Sequence, residues 1–142
     1  MLDRPRVLLA PREPYFPDPQ EPYRPGGGAL IELPILVSPW SRLPFIGTWA
    51  AAFPRPLVRA SYLAARGAPF FNFELHAIDV LGESDGIALP LVRRQRDLAV
   101  SPQLKMSRLR EVFGWLREDY EVVTLAEAAE RCRAAARGTA GQ

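Results

Sequence analysis

The sequence has one histidine, His76, and one cysteine, Cys132, and each shortage excludes a class of chemistry. A single cysteine rules out an internal disulfide, and one Cys with one His cannot close a zinc site without several carboxylates. Any metal would need ligands from elsewhere. Lysine is reduced to Lys105, all other basic residues being arginine, a bias that fits a GC-rich coding sequence and carries no functional weight. Eighteen Lys and Arg stand against sixteen Asp and Glu, a net charge of +2. No block of five or six like charges forms a basic arm, so nucleic acid is not expected as a partner. No apolar run approaches the ~18–20 residues of a membrane span, and Met1 to Arg6 lacks the apolar core of a secretory signal. The expectation is a soluble chain without a transmembrane segment, cytoplasmic by default.

What is abundant is proline. There are fifteen, seven of them in the first 25 residues. Residues 1–28 read as a Pro/Gly-rich segment with one short strand over 7–10, the rest extended loop that Tyr15, Phe16 and Tyr23 anchor to a surface. Gly26-Gly27-Gly28 is a flexible entry to the next strand, because no Lys-Ser/Thr follows to make a phosphate cradle. Residues 29–137 read as one α/β domain, and 138–142 as a frayed tail.

Within that domain the spacing predicts strands over 29–35, 70–79 and 120–124, and helices over 56–66, 103–118 and from 125 onward. Pro56 opens the first helix and Gly67 closes it. Ser101-Pro102 starts the second, whose Met106, Leu109, Val112, Phe113 and Leu116 make a one-sided stripe. Thr124 with Glu127 matches a capping box for the third, with Leu125, Ala128, Ala129 and Cys132 inward. Residues 36–56 and 82–102 read as long irregular segments. Strands alternating with helices imply mostly parallel strands with right-handed crossovers.

The central stretch is Phe70 to Asp79. Alternation sends Phe71, Phe73, Leu75 and Ala77 to one face as core, and Asn72, Glu74, His76 and Ile78 to the other. Polar groups on an interior strand are costly unless hydrogen-bonded or open to a wet cavity. Two readings follow: a site at the strand's C-terminal end using His76 and Asp79, or a structural His and Glu satisfied by neighbours. Glu32 is a second acidic side chain in a short apolar strand. Trp40, Phe45, Trp49 and Phe53 either line a sugar-binding cleft or pin a long loop to the core.

These residues resemble the C-terminal half of the polysaccharide deacetylases. The likeness lies in Glu32-Leu33-Pro34 after a Pro-rich entry, Glu74-Leu75-His76-Ala77-Ile78-Asp79, the helix bearing Lys105, and the closing Tyr120-to-Ala129 strand and helix. These are the NodB-homology enzymes of carbohydrate esterase family 4, similar to the formamido-arabinose lipid deformylases, in which a Leu-His-Ala-Glu stretch takes the place of Leu75-His76-Ala77. The resemblance implies a partial or distorted (β/α) barrel and hydrolysis of an N-acyl group from a sugar amine. In the family a zinc-like divalent metal polarises the amide and lowers the pKa of a bound water. It implies His76 as general acid, with Glu74, Leu75, Asp79, Glu32, Trp40 and Trp49 about a carbohydrate or glycolipid substrate. The Asp-Asp pair and His-x-x-x-His that hold the family's metal are not in this chain, so no cofactor is expected here. A separate N-terminal half-barrel polypeptide would have to supply them. Glu74 stands where the family places a Leu, and Arg12-Glu13-Pro14-Tyr15 is similar to the family's Arg-x-Pro-Tyr. The alternative is a non-catalytic carbohydrate- or protein-binding module. A Ser-His-Asp hydrolase using His76 and Asp79 lacks the Gly-x-Ser-x-Gly elbow.

Overall fold

The computed structural model describes residues 8–139. Among them no sheet forms, and the α/β barrel with its parallel strands is corrected to a helical architecture with three isolated antiparallel bridges. The five α-helices are α1 (Gly47–Ala52), α2 (Arg55–Ala65), α3 (Leu89–Arg94), α4 (Pro102–Asp119) and α5 (Leu125–Thr139). Single 3-10 turns occupy Ala77–Asp79, Glu83–Asp85 and Arg96–Ala99. The described residues divide into two units, one of residues 35–67 and 73–120, the other of 8–34, 68–72 and 121–139.

Proline explains why the expected strands do not pair. Pro34, Pro39 and Pro44 punctuate the segment that would lie beside the central stretch, and a proline gives a ladder no donor. Residues 70–76 stay extended but are held by side chains and single bonds. Phe73 packs on Phe45 and edge-on against Phe113, at 5.9 and 5.6 Å between ring centres, and the Gly47 amide donates to Glu74 O at 2.8 Å. The two faces therefore do not sort into core and site, and Leu75 is exposed. Residues 121–124 are likewise extended without a partner strand, and 29–35 contributes a single bridge from Glu32 to Tyr15. The strand expected over 7–10 begins outside the described residues, and Leu8 and Leu9 lie in an exposed helical turn.

The first unit is built on α1, α2 and α4. Alanine makes α1 narrow: Ala50 and Ala51 are fully buried, and Arg108 of α4 donates to Ala51 O at 2.7 Å, satisfying a carbonyl at the helix end. In α2, Val58, Tyr62 and Ala65 follow helical spacing into the core. Pro56 sits in its first turn, and Gly67, at φ +99°, turns the chain out. Ser101 caps α4 by accepting from the Leu104 amide. Its buried face is Lys105, Leu109, Val112, Trp115 and Leu116. Met106 and Phe113 of the expected stripe are partly exposed, because the helix turns Lys105 inward. The segments expected to be irregular hold α1 and α3, each one to two turns long and too short for a periodic signal.

In the other unit the Pro-rich segment is ordered by local bonds. Tyr15 and Glu32 exchange backbone bonds of 3.2 and 2.8 Å, and Tyr15 Oη donates to Pro22 O at 2.7 Å. The Asp18 carboxylate accepts from the Gln20 and Glu21 amides, which holds its pKa below the ordinary value. Asn72 Nδ2 reaches Leu33 O at 2.9 Å. The expected capping box opens α5: the Thr124 amide and hydroxyl both donate to Glu127, and the Glu127 amide donates to Thr124 Oγ1. Ala128 is buried whereas Leu125 is exposed. The helix continues through Gly138 and Thr139, while residues 140–142 lie outside the described residues.

Candidate functional site

His76 is not at the end of a strand but precedes the one-turn helix Ala77–Asp79. Asp79 reaches back to accept from the His76 amide at 2.8 Å, and its other oxygen accepts from the Thr48 hydroxyl. The carboxylate is wholly buried, and Gly47 makes room for it: a Cβ there would overlap Asp79 and the Leu75 side chain. The imidazole is half exposed. Its Nε2 lies 3.4 Å from Glu74 Oε1 and its Nδ1 3.8 Å from Asp79 Oδ2, both looser than an orienting hydrogen bond. Glu74, His76 and Asp79 lie close together around the turn, but Asp79 is committed to holding it. The cluster does not fit a metal, since both Asp79 oxygens are engaged by protein donors. Among the described residues no group of three His, Cys, Asp or Glu is gathered to hold one. Glu32 belongs to the other unit, where its backbone bridges Tyr15.

A concave feature of the first unit lies around the two tryptophans. A cleft of about 260 Å³ is lined on one side by Trp40, Leu43, Pro44, Phe45 and Trp49 and on the other by Ala60, Ser61, Ala64 and Ala65 of α2. Its walls are mostly carbon. Trp49 stacks on Phe53 with 3.9 Å between ring centres, and its indole N–H is buried without an acceptor. Such an orphan donor costs about 1–3 kcal/mol. Trp40 is 92% exposed at the lip.

The loop carrying Trp40 is tightly specified. Ser38 and Ser41 bond to each other through their hydroxyls, Ser38 Oγ also accepts from the Leu43 amide at 3.1 Å, and the Ser38 amide donates to Leu43 O at 2.9 Å. The Arg42 amide closes onto Ser38 O at 3.2 Å. These bonds hold Arg42 at φ +52°, a left-handed conformation costly for a residue with a side chain. The sequence pointed to both tryptophans but missed the serines that shape the loop, Arg42, and the α2 face. The overlooked signal was the small residues Ala60, Ser61 and Ala64 at helical spacing, beside the buried row of Val58, Tyr62 and Ala65.

A third polar cluster, also missed, is structural. Lys105 is wholly buried, its ammonium donating to Ile78 O at 3.2 Å, Leu81 O at 2.7 Å and Asp97 Oδ2 at 3.4 Å. Tyr62 Oη donates to Trp115 O at 2.8 Å and contacts the Asp119 carboxylate, while Arg59 lies over the Trp115 ring. Burial, then Asp119, push the phenol pKa well above its ordinary value.

No helix among the described residues is long and apolar enough to cross a membrane. Compared with protein-family models, curated proteins and solved structures, the chain gives no match in any of the three. The deacetylase resemblance gains no support from them, and the barrel it implied is not formed.

Proposed function

We propose that this chain is a non-catalytic protein-binding module whose docking site is the cleft between the Ser38–Leu43 loop and α2. The observation that carries this reading is the loop itself: four bonds and a left-handed Arg42 present a nearly fully exposed Trp40 at the rim of an apolar cleft. Exposed tryptophan on a rigid support is a frequent anchor in protein interfaces. Covering ~150–250 Å² of it returns roughly 4–6 kcal/mol before the costs of association. A partner's apolar side chain fits carbon walls better than a sugar ring does, because the Ser38 and Ser41 hydroxyls are occupied within the loop. His76 does not line the cleft, and Asp79 is bound in its turn.

Peptide display on the full chain tests this. Recovered peptides should carry an apolar anchor and should lose about tenfold or more in affinity against Trp40→Ala and against Ala64→Phe, which fills the cleft. His76→Ala should bind them unchanged. Peptides held equally by all variants would refute the reading, as would glycan binding abolished by Trp40→Ala with no peptide bound.

A further inference from the structure

Every residue that lines the cleft is uncharged. A charged occupant would lose water there and find no countercharge, so the hollow selects a neutral apolar group. Its volume of about 260 Å³ lies below the ~300–1,000 Å³ of sites that take drug-sized ligands, and suits one large side chain. The chain carries such a side chain on the same rim. Trp40 is more exposed than any other large apolar residue among the described residues. Its loop, closed by the bonds among Ser38, Ser41 and Leu43, holds the indole at the lip without filling the hollow beside it.

Resting on the docking reading above, we infer that the partner is a second copy of this chain, each Trp40 entering the cleft of the other about a two-fold axis. A rim that carries an apolar projection next to an apolar hollow is self-complementary, which is what an isologous pair requires. Both contacts form together and close, leaving neither indole nor cleft to recruit a third chain. The Ser38 and Ser41 hydroxyls bond to each other, so covering the rim leaves no bond of theirs unmet. The area sets the strength. An aromatic side chain brings ~150–250 Å², so two indoles and the walls that receive them hide on the order of 600–1,000 Å². That is less than the ~1,200 Å² at the low end of stable interfaces, and the pair is therefore transient, with a dissociation constant in the micromolar range or weaker.

Sedimentation velocity of the full chain, over a concentration series spanning the micromolar range, tests this. The wild-type mass should rise from monomer to dimer and stop there. Trp40→Ala removes the projection and Ala64→Phe fills the hollow, and each alone should associate about tenfold or more weakly. Both positions are exposed, so both variants should keep the wild-type unfolding midpoint. The mixture of the two variants is the decisive sample. Trp40 of the Ala64→Phe chain can still enter the open cleft of the Trp40→Ala chain, so the mixture should associate about three- to tenfold more tightly than either variant with itself. No gain in the mixture, a dimer that survives both single variants, or masses climbing beyond the dimer would each overturn the reciprocal exchange. A chain that stays monomeric throughout, while displayed peptides are held and then lost on Trp40→Ala, overturns the second copy and leaves the cleft as a docking site. Neither dimer nor peptide binding overturns the docking reading itself.

Discussion

Replacing Lys105 with methionine keeps the length and most of the volume of the side chain but removes its charge and its three donors. The ammonium lies near the N-terminal end of α4, where the helix dipole disfavours a cation. Its place is therefore maintained by Ile78 O, Leu81 O and Asp97 alone. In Lys105→Met the two carbonyls lose a donor and Asp97, only 7% exposed, loses its countercharge. Hydrogen bonds to charged groups are worth about 1.5–3 kcal/mol each, and breaking a buried pair from one side costs about 3–5 kcal/mol. The expected loss is thus about 3–5 kcal/mol, with no compensating gain from the apolar thioether because the ammonium's place is polar on three sides. Urea unfolding followed by tryptophan fluorescence would show the midpoint falling by roughly 2 M if the slope is ~2 kcal/mol per M. Adding Asp97→Asn to Lys105→Met removes the stranded charge and should recover ~1–3 kcal/mol, the coupling expected of groups in contact. A loss below about 1 kcal/mol in the single variant, or no recovery in the double, would refute the claim that this cluster fastens the turns to α4.

Two further outcomes follow from the same unit. The Tyr62 phenol is harder to ionise in the folded chain than in the unfolded one, so its contribution to stability is present below pH ~10 and is lost as pH rises above it, where the unfolded state releases its proton first. Tyr62→Phe should cost about 1–2 kcal/mol at neutral pH through its lost bonds, yet show a shallower fall in chemical-denaturation stability above pH 10; equal slopes would remove the assignment. Gly47→Ala places a methyl against the Asp79 carboxylate and Leu75, and should cost about 1–3 kcal/mol by overpacking. A thermal midpoint equal to wild type would show that the turn around Asp79 yields freely.

Capping and helix-ending signals were legible because they are local. Ser101-Pro102, Thr124 with Glu127, and Gly67 each act through their own backbone neighbours, and α2, α4 and α5 begin or end where those residues stand. The strands were not legible, because alternation says that a segment is extended and says nothing about whether another segment can bond to it. Phe70 to His76 satisfies the pattern and still finds no ladder, its would-be neighbour being interrupted by Pro34, Pro39 and Pro44. The polar residues on that stretch suggested a site or a satisfied His and Glu, but the imidazole of His76 is half exposed and the buried carboxylate is that of Asp79, which serves a turn and the Thr48 hydroxyl. Trp40 and Trp49 were found by residue type alone. Their cleft depends on Ala60, Ser61 and Ala64, small residues whose meaning appears only when the aromatic loop is laid beside them. Lys105 was noticed as the single lysine, yet no periodicity marks a cation that finds its acceptors 24 and 27 positions earlier in the chain and 8 positions earlier in Asp97.

The division of the chain also bears on the order of its synthesis. The unit holding the cleft ends at Tyr120, whereas the other unit draws on residues 8–34, 68–72 and 121–139. A ribosome releases the chain from its N-terminus, and domains fold as their residues emerge. Every residue of the cleft unit is therefore available before α5 has left the exit tunnel. Residues 8–34 must wait, through the making of residues 35–120, for the last piece of their own unit. Proline rings at Pro11, Pro14, Pro17, Pro19, Pro22 and Pro25 keep that waiting segment stiff, which limits the wrong structures it can form in the interval.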